Sequence, residues 1–193
     1  MKILLLCLHA FETMEFSPFV DVFGWARNDL GCDIRVVTCG HNRRVVSTFG
    51  VPIEVDTLVS EVWVEDYAAL AIPGGFEEYD FYREAYDEKT LEMIRAFAAA
   101  GKPIASVCVG SLPIAKSGVL TGRKATTYHL QGGRRRRQLA ELGAVLGDEW
   151  FVEEGNIITS SCPRTAPEVA FALLGQLTSP ETVEQVKRNM GFA

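Results

Sequence analysis

A thiol stands in the run PIASVCVGSLPIA, residues 103–115, with a small residue two positions to either side of it. Ile104 to Val107 reads as a buried strand that stops at Cys108, and a new segment begins after Val109-Gly110. Strand, Ser106-x-Cys108-x-Gly110, helix is the form of a nucleophile elbow with Cys in place of Ser. Such a tight turn needs small residues at −2 and +2, because neighbouring backbone passes close by. It presents the sulfur at the N-terminus of a helix, where the dipole favours thiolate. The alternative is a cysteine that simply fills a strand as a small hydrophobe. A second feature supports the elbow. Pro73-Gly74-Gly75 ends another apolar run, and Gly75 N–H with the N–H of Val109 could hold a developing oxyanion. On its own, Pro-Gly-Gly is also compatible with a plain turn.

These residues need strands to carry them. KILLLCL (2–8), DIRVVTC (33–39), YAALAIPGG (67–75) and PIASVC (103–108) are apolar runs of the kind buried on both faces in a parallel sheet. Helix-length segments alternate with them. SPFVDVFGWARN (17–28) opens with Ser17 as N-cap and Pro18 at the first helical position. DEKTLEMIRAFAAAGK (87–102) closes on Gly101, and RRRRQLAELG (134–143) on Gly143. Two helices, 166–177 and 180–190, close the chain. RRVVSTFGVPIEVD (43–56) reads as an excursion turning near Phe49-Gly50, and WFVEEGNIITS (150–160) as a hairpin turning at Glu154-Gly155-Asn156. The pattern predicts an α/β three-layer sandwich, a mostly parallel sheet with helices on both faces, in one domain over 1–193. Ligands of such sheets bind at the carboxyl ends of the strands. Four segments fall on that rim: His9 to Glu15, Pro73 to Gly75, Cys108, and Ser160 to Arg164.

Bulk properties narrow the function. The chain has 193 residues, 48% of them hydrophobic, and a net charge of −6, which argues against nucleic acid or an anionic membrane as partner. MKILLLCLHAF suits a first strand better than a signal peptide, and no spanning helix is evident. Five cysteines without CxxC spacing, Cys7, Cys32, Cys39, Cys108 and Cys162, fit reduced thiols in a cytoplasm. The scattered His9, His41 and His129 make no metal-binding spacing, so no metal is expected.

Taken together, PGG at 73–75, SVCVGSLPIAKSGVLTGRKATT at 106–127, Glu15 in AFETMEFSPFVDVF and NIITSSCPRTAPEVAFALL at 156–174 resemble the ThiJ/PfpI family of the class I glutamine amidotransferase-like superfamily. The resemblance runs nearly end to end. It is nearer the Parkinson's-disease-associated deglycase and chaperone branch than the protease branch. It implies a flavodoxin-like sandwich, a reactive Cys108 at the elbow, no cofactor, and a homodimer. It also implies a glutamate beside the thiol, which Glu15 matches, with Glu12 the competing acid. An ionised Glu15 would raise the thiol pKa, whereas a protonated one could donate a hydrogen bond and lower it. The protease branch has His directly after the cysteine. Val109 stands there, which argues against a peptidase. Many relatives carry His after Thr-Thr, but here Tyr128 takes that place. His129, one residue later, either reaches the site by a small shift or is an ordinary surface residue; His9 is a further candidate.

Cys162 is a possible second, resolving thiol or a loop cysteine. Arg134 to Arg137 are mostly solvated, with one or two pairing acids across a dimer interface or anchoring a substrate anion. Trp25, Trp63 and Trp150 are read as core or interface residues. Two functions are expected from the same residues. One is a cysteine-dependent enzyme acting on a small electrophile, with glyoxalase or deglycase chemistry on reactive carbonyls first and isocyanide hydration or amide hydrolysis as sisters. The other is an oxidative-stress sensor or chaperone that uses Cys108 oxidation. A nucleotide-binding domain is disfavoured, because LHAFETME stands where a Gly-rich phosphate loop would follow strand one.

Overall fold

In the computed structural model, which describes residues 1–192, the apolar runs form one seven-stranded sheet. In chain order the strands and helices are β1 (Lys2–Leu6), α1 (Thr13–Leu30), β2 (Arg35–Gly40), β3 (Arg44–Val46), β4 (Pro52–Glu54), β5 (Thr57–Leu58), β6 (Ala69–Ile72), α2 (Phe81–Ala85), α3 (Glu88–Ala99), β7 (Ile104–Ser106), α4 (Ser111–Lys116), β8 (Lys124–Ala125), α5 (Arg134–Glu141), β9 (Val145–Leu146), β10 (Phe151–Glu154), β11 (Ile157–Ser160), α6 (Ala166–Leu177) and α7 (Pro180–Met190). The main sheet runs β10-β11-β7-β6-β1-β2-β5. Its pairs are parallel except the β10–β11 hairpin at one edge. The excursion over 43–56 is the antiparallel pair β3–β4, with Gly50 in the left-handed region at φ 85°. Two short strands, β8 and β9, pair outside the main sheet.

The connectivity explains the three layers. The chain steps from β1 to β2 in one direction across the sheet, and from β6 to β7 to β11 in the other. Right-handed crossovers in opposite directions place their helices on opposite faces. So α1 packs with α6 and α7, and α3 packs with α4, which in turn meets α5. The central strands are buried on both sides. Ile3 to Leu6, Ala69 to Ile72 and Ile104 to Ser106 lie within a single apolar cluster or its polar lining. The direction of travel reverses between β1 and β6. That switch point opens a crevice at the carboxyl ends of the strands, where a ligand enters without displacing a crossover.

Two expectations are corrected. Helix α1 starts at Thr13, not after Ser17. Glu12 is its N-cap and accepts the Met14 N–H, so Pro18 lies inside the helix. At that depth proline forfeits a single intrahelical bond, to the Met14 carbonyl, and the burial of Phe19, Val22 and Phe23 outweighs it. Of the two readings of the tryptophans, the core one is excluded, because Trp25, Trp63 and Trp150 are 40%, 74% and 47% exposed. No helix among the described residues is long and apolar enough to cross a membrane.

Candidate active site

The chain leaves β7 and turns at once. Cys108 adopts φ 55°, the left-handed region that costs a non-glycine residue about 1–3 kcal/mol. Three contacts hold it there. The Cys108 carbonyl accepts the Ser111 hydroxyl at 3.1 Å and the Thr127 hydroxyl at 3.0 Å. Gly110 packs against the end of β6 so closely that an added Cβ would lie 2.4 Å from the Ile72 carbonyl oxygen. The small residue at +2 is therefore demanded by neighbouring backbone, as the sequence implies. Position −2 is equally confined: Ser106 is fully buried in register with Ile72 and Thr159.

Glu15 enters from the first turn of α1. It is 1% exposed, and its Oε2 accepts the Gly74 N–H at 2.6 Å. Gly74 cannot be larger, since a Cβ there would lie 2.9 Å from that oxygen and 3.0 Å from the Val109 nitrogen. The two glycines after β6 thus have separate tasks. Gly74 spends its N–H on the glutamate, and Gly75 lines the cavity beside Cys108 and Val109. Gly75 is itself confined, with Phe81 and the Ala10 carbonyl where a Cβ would go.

Burial governs the electrostatics. Desolvation pushes the Glu15 carboxyl up to about 8, against the lowering effect of the Gly74 N–H, with the charge of Glu12 adding to the rise. Cys108 is also pushed well above its ordinary value, first by burial and then by the Glu15 charge, while the Val109 N–H works in the opposite direction. The sequence expectation of a thiolate favoured by a helix end is thus corrected for the resting site. Cys108 is 8% exposed, and burial outweighs the few N–H dipoles at the turn. The carboxyl and thiol interact directly and titrate as a pair.

The pair opens onto a cavity of about 800 Å³. Each of the three neighbouring strand ends contributes to it: Gly75 from β6, Cys108 and Val109 from β7, and Cys162, Pro163 and Arg164 from β11. Phe76, Tyr79, Tyr128 and Leu130 supply most of its apolar wall. Cys162 is buried and faces the same space as Cys108. Glu12 is taken up as the α1 cap and does not line it.

His129 is not in that cavity. Tyr128 lines it, and the next side chain turns away. His129 stacks edge-on against Trp150 at 4.5 Å and lines a separate hollow of about 320 Å³ with Arg136, Asp148 and Ser161. Adjacent residues of extended chain point to opposite sides, so a one-residue offset sends the ring away from the thiol. His9 does not line the cavity either, and its backbone N–H donates to Glu84 Oε2 at 2.7 Å. The arginine run pairs within the chain: Arg134 and Arg135 with Glu77 at 2.7 and 3.0 Å, Arg136 with Asp148 at 2.7 Å, and Arg137 with the Gly132 carbonyl. No group of acids, histidines and cysteines able to hold a metal occurs among the described residues. Sequence reasoning missed Thr127 and Ser111 as braces of the turn and Gly74 as the glutamate's donor.

A model of the DJ-1/PfpI family matches residues 1–176. The chain belongs to that family. The structure superposes on the crystal structure of Drosophila melanogaster DJ-1beta with a TM-score of 0.84 and 27% identity, covering 98% of this chain and 96% of that one. In sequence it is 28% identical to the Drosophila protein dj-1beta over 181 residues, 93% of this chain and 90% of that protein. It is 29% identical over 164 residues to deglycase PfpI of Pyrococcus furiosus, 84% of this chain and 91% of the relative. Isonitrile hydratase of Pseudomonas putida is 30% identical over 152 residues, 77% of this chain and 61% of its own length. The fold is therefore the flavodoxin-like sandwich of this DJ-1/PfpI member's relatives, and relatives within the family are named as enzymes.

Proposed function

We propose that this DJ-1/PfpI protein is a cysteine-dependent enzyme, independent of any cofactor, that acts on reactive carbonyl compounds in the manner of a glyoxalase or deglycase. The observation that carries the reading is the buried proton-sharing pair of Glu15 and Cys108, set in a strained turn that opens onto a cavity. With Glu15 raised to about 8, the resting pair is neutral near pH 7, and a carbonyl can enter without meeting a buried charge. Sulfur attacks the carbonyl carbon, the C–S bond forms, and the C=O π electrons move to oxygen. Glu15 gives its proton to that oxygen and the Cys108 proton leaves to solvent, giving a neutral hemithioacetal beside a Glu15 carboxylate. The N–H groups of Gly75 and Val109 stabilise the oxyanion on the way. For a 2-oxoaldehyde, the Glu15 carboxylate takes the former aldehyde hydrogen as a proton and returns it to the adjacent carbon, while the hydroxyl proton passes from the first oxygen to the second. Water hydrolyses the resulting thioester to a 2-hydroxy acid and frees the thiol. Atoms and electrons balance with water as the only co-reactant.

The test is methylglyoxal turnover to lactate by the purified protein. The reading predicts turnover that Cys108→Ser abolishes and Glu15→Gln lowers by at least a hundredfold. Activity that survives Cys108→Ser would overturn it. Isonitrile hydration is a sister reaction that the same nucleophile and proton donor could serve.

A second reading has its own support. Cys162 shares the cavity with Cys108, so a peroxide reaching one thiol also reaches the other. In that reading Cys108 is oxidised to a sulfenic acid, which either condenses with Cys162 or advances to a sulfinate held by Glu15 and Val109 N–H. Exposed Met14, Phe49 and Val51, with Phe76 and Tyr79 on the cavity rim, fit the expected homodimer.

A further inference from the structure

One cation in the cavity has no use in the chemistry above. Arg164 follows β11 on the rim that also carries Cys162 and Pro163. Its guanidinium lies over the Trp150 ring, 4.0 Å from the centroid. Stacking on an indole fixes the plane of the fork and leaves its N–H edges free. The other lining arginine differs. Arg135 is committed to Glu77 at 3.0 Å and Gln138 at 2.9 Å, and lies over Tyr82 at 5.0 Å. Among the described residues no carboxylate pairs with Arg164. In a chain of net charge −6, a pre-oriented guanidinium without a paired acid, lining the same cavity as a nucleophile, stands out as a site for an external anion.

The remaining wall defines what is attached to that anion. Val109, Phe76, Tyr79, Tyr128, Leu130 and Pro163 give the cavity shared by Cys108 and Arg164 an apolar lining. Of the two rim acids that also line it, Glu77 is neutralised by Arg134 and Arg135, and Glu78 is exposed. At about 800 Å³ it falls in the range of pockets that enclose drug-sized ligands, roughly 300–1,000 Å³. A three-carbon dicarbonyl would leave most of that wall wet.

We propose that the preferred electrophile is a carboxylate with an apolar or aromatic body, whose carboxylate docks on Arg164 while its reactive carbonyl reaches Cys108. This rests on the carbonyl chemistry proposed above for the substrate's reactive end, but the anchoring of the carboxylate does not. The test therefore uses unreactive ligands. Binding of 3-phenylpropionate and of its neutral counterpart 3-phenylpropionamide is measured by titration calorimetry on the wild-type protein, Arg164→Gln and Arg164→Lys. Protection of Cys108 from iodoacetamide shows that the ligand occupies this cavity. The expected result is that the carboxylate binds wild type at least tenfold tighter than the amide and protects Cys108. Arg164→Gln should erase the difference, and Arg164→Lys should keep part of it. Equal affinity for both ligands, binding of neither, binding without protection, or a preference that survives in Arg164→Gln would each overturn the proposal. Methylglyoxal turnover is assayed separately. Its absence would count against the reaction, and the binding result would still decide the anchor.

Discussion

The Glu15 carboxyl is fastened at one oxygen by the Gly74 N–H, 2.6 Å away, and meets the Cys108 thiol within the same dry corner. Strand β6 therefore sets the position of an acid that belongs to α1, and through it the protonation of a thiol that belongs to β7. One consequence is a pH-dependent stability. The folded pKa of Glu15 is raised from 4.5 to about 8, so its protonated form is the one that favours folding. Relative to an ionised unfolded carboxyl, that contribution is complete below pH 4.5 and is lost as pH rises through about 8. Glu15→Gln should remove this loss. Its Tm should exceed that of wild type at alkaline pH, by an amount on the order of a few kcal/mol in stability, and converge with wild type in acid. Thermal melts of both proteins across the pH range check it.

Gly110 should tolerate no side chain. Gly110→Ala places a Cβ 2.4 Å from the Ile72 carbonyl oxygen, with backbone on both sides and no flexible group to yield. Loss of more than about 3 kcal/mol, or failure to fold, is expected in urea denaturation. Gly101→Ala is the contrasting case: it has a positive φ of 67° but open space around it, and should cost only about 1 kcal/mol.

The brace on the strained cysteine is separable from its stability. Thr127→Val removes the hydroxyl that donates to the Cys108 carbonyl at 3.0 Å and keeps the side-chain shape. A loss of about 1 kcal/mol in stability is expected from an unmade buried hydrogen bond. The rate of Cys108 alkylation should fall several-fold as the turn relaxes from φ 55°. An unchanged alkylation rate would show that Ser111 alone suffices.

Peroxide distinguishes the two thiols. If Cys162 reaches the oxidised Cys108, intact-protein mass spectrometry should show the loss of two hydrogens. Cys162→Ser should instead gain two oxygens on Cys108. A two-oxygen product in wild type as well would make Cys162 a lining residue without a redox task.

Much of this was legible in the residues. The apolar runs announce the parallel sheet because strands buried on both faces carry no polar alternation. The elbow was legible because close backbone contact forces small residues at 106 and 110. The turns at Gly50, Gly101 and Gly143 follow from φ values that only glycine adopts freely. What the residues hide is direction. Nothing in TTYHL says which of Tyr128 and His129 faces the sulfur, since a single step along extended chain exchanges the two sides. Arg134 to Arg137 look like a solvated run until Glu77 and Asp148, distant in sequence, come to meet three of them. The pKa of Cys108 depends on burial, which comes from the whole fold and outweighs the local helix end that the sequence does display.

The most direct test is the pH dependence of Cys108 alkylation by iodoacetamide, in wild type and Glu15→Gln, with Cys108→Ser assigning the signal. If the two groups are coupled, ionisation of Glu15 at about 8 holds the thiolate back, so wild-type reactivity should stay low through that pH and rise only well above it. In Glu15→Gln that charge is gone, so the rise should move to lower pH while still lying above the ordinary thiol value, because the thiol is buried. Superimposable profiles would contradict the account, making Cys108 a solitary buried thiol and Glu15 a structural acid.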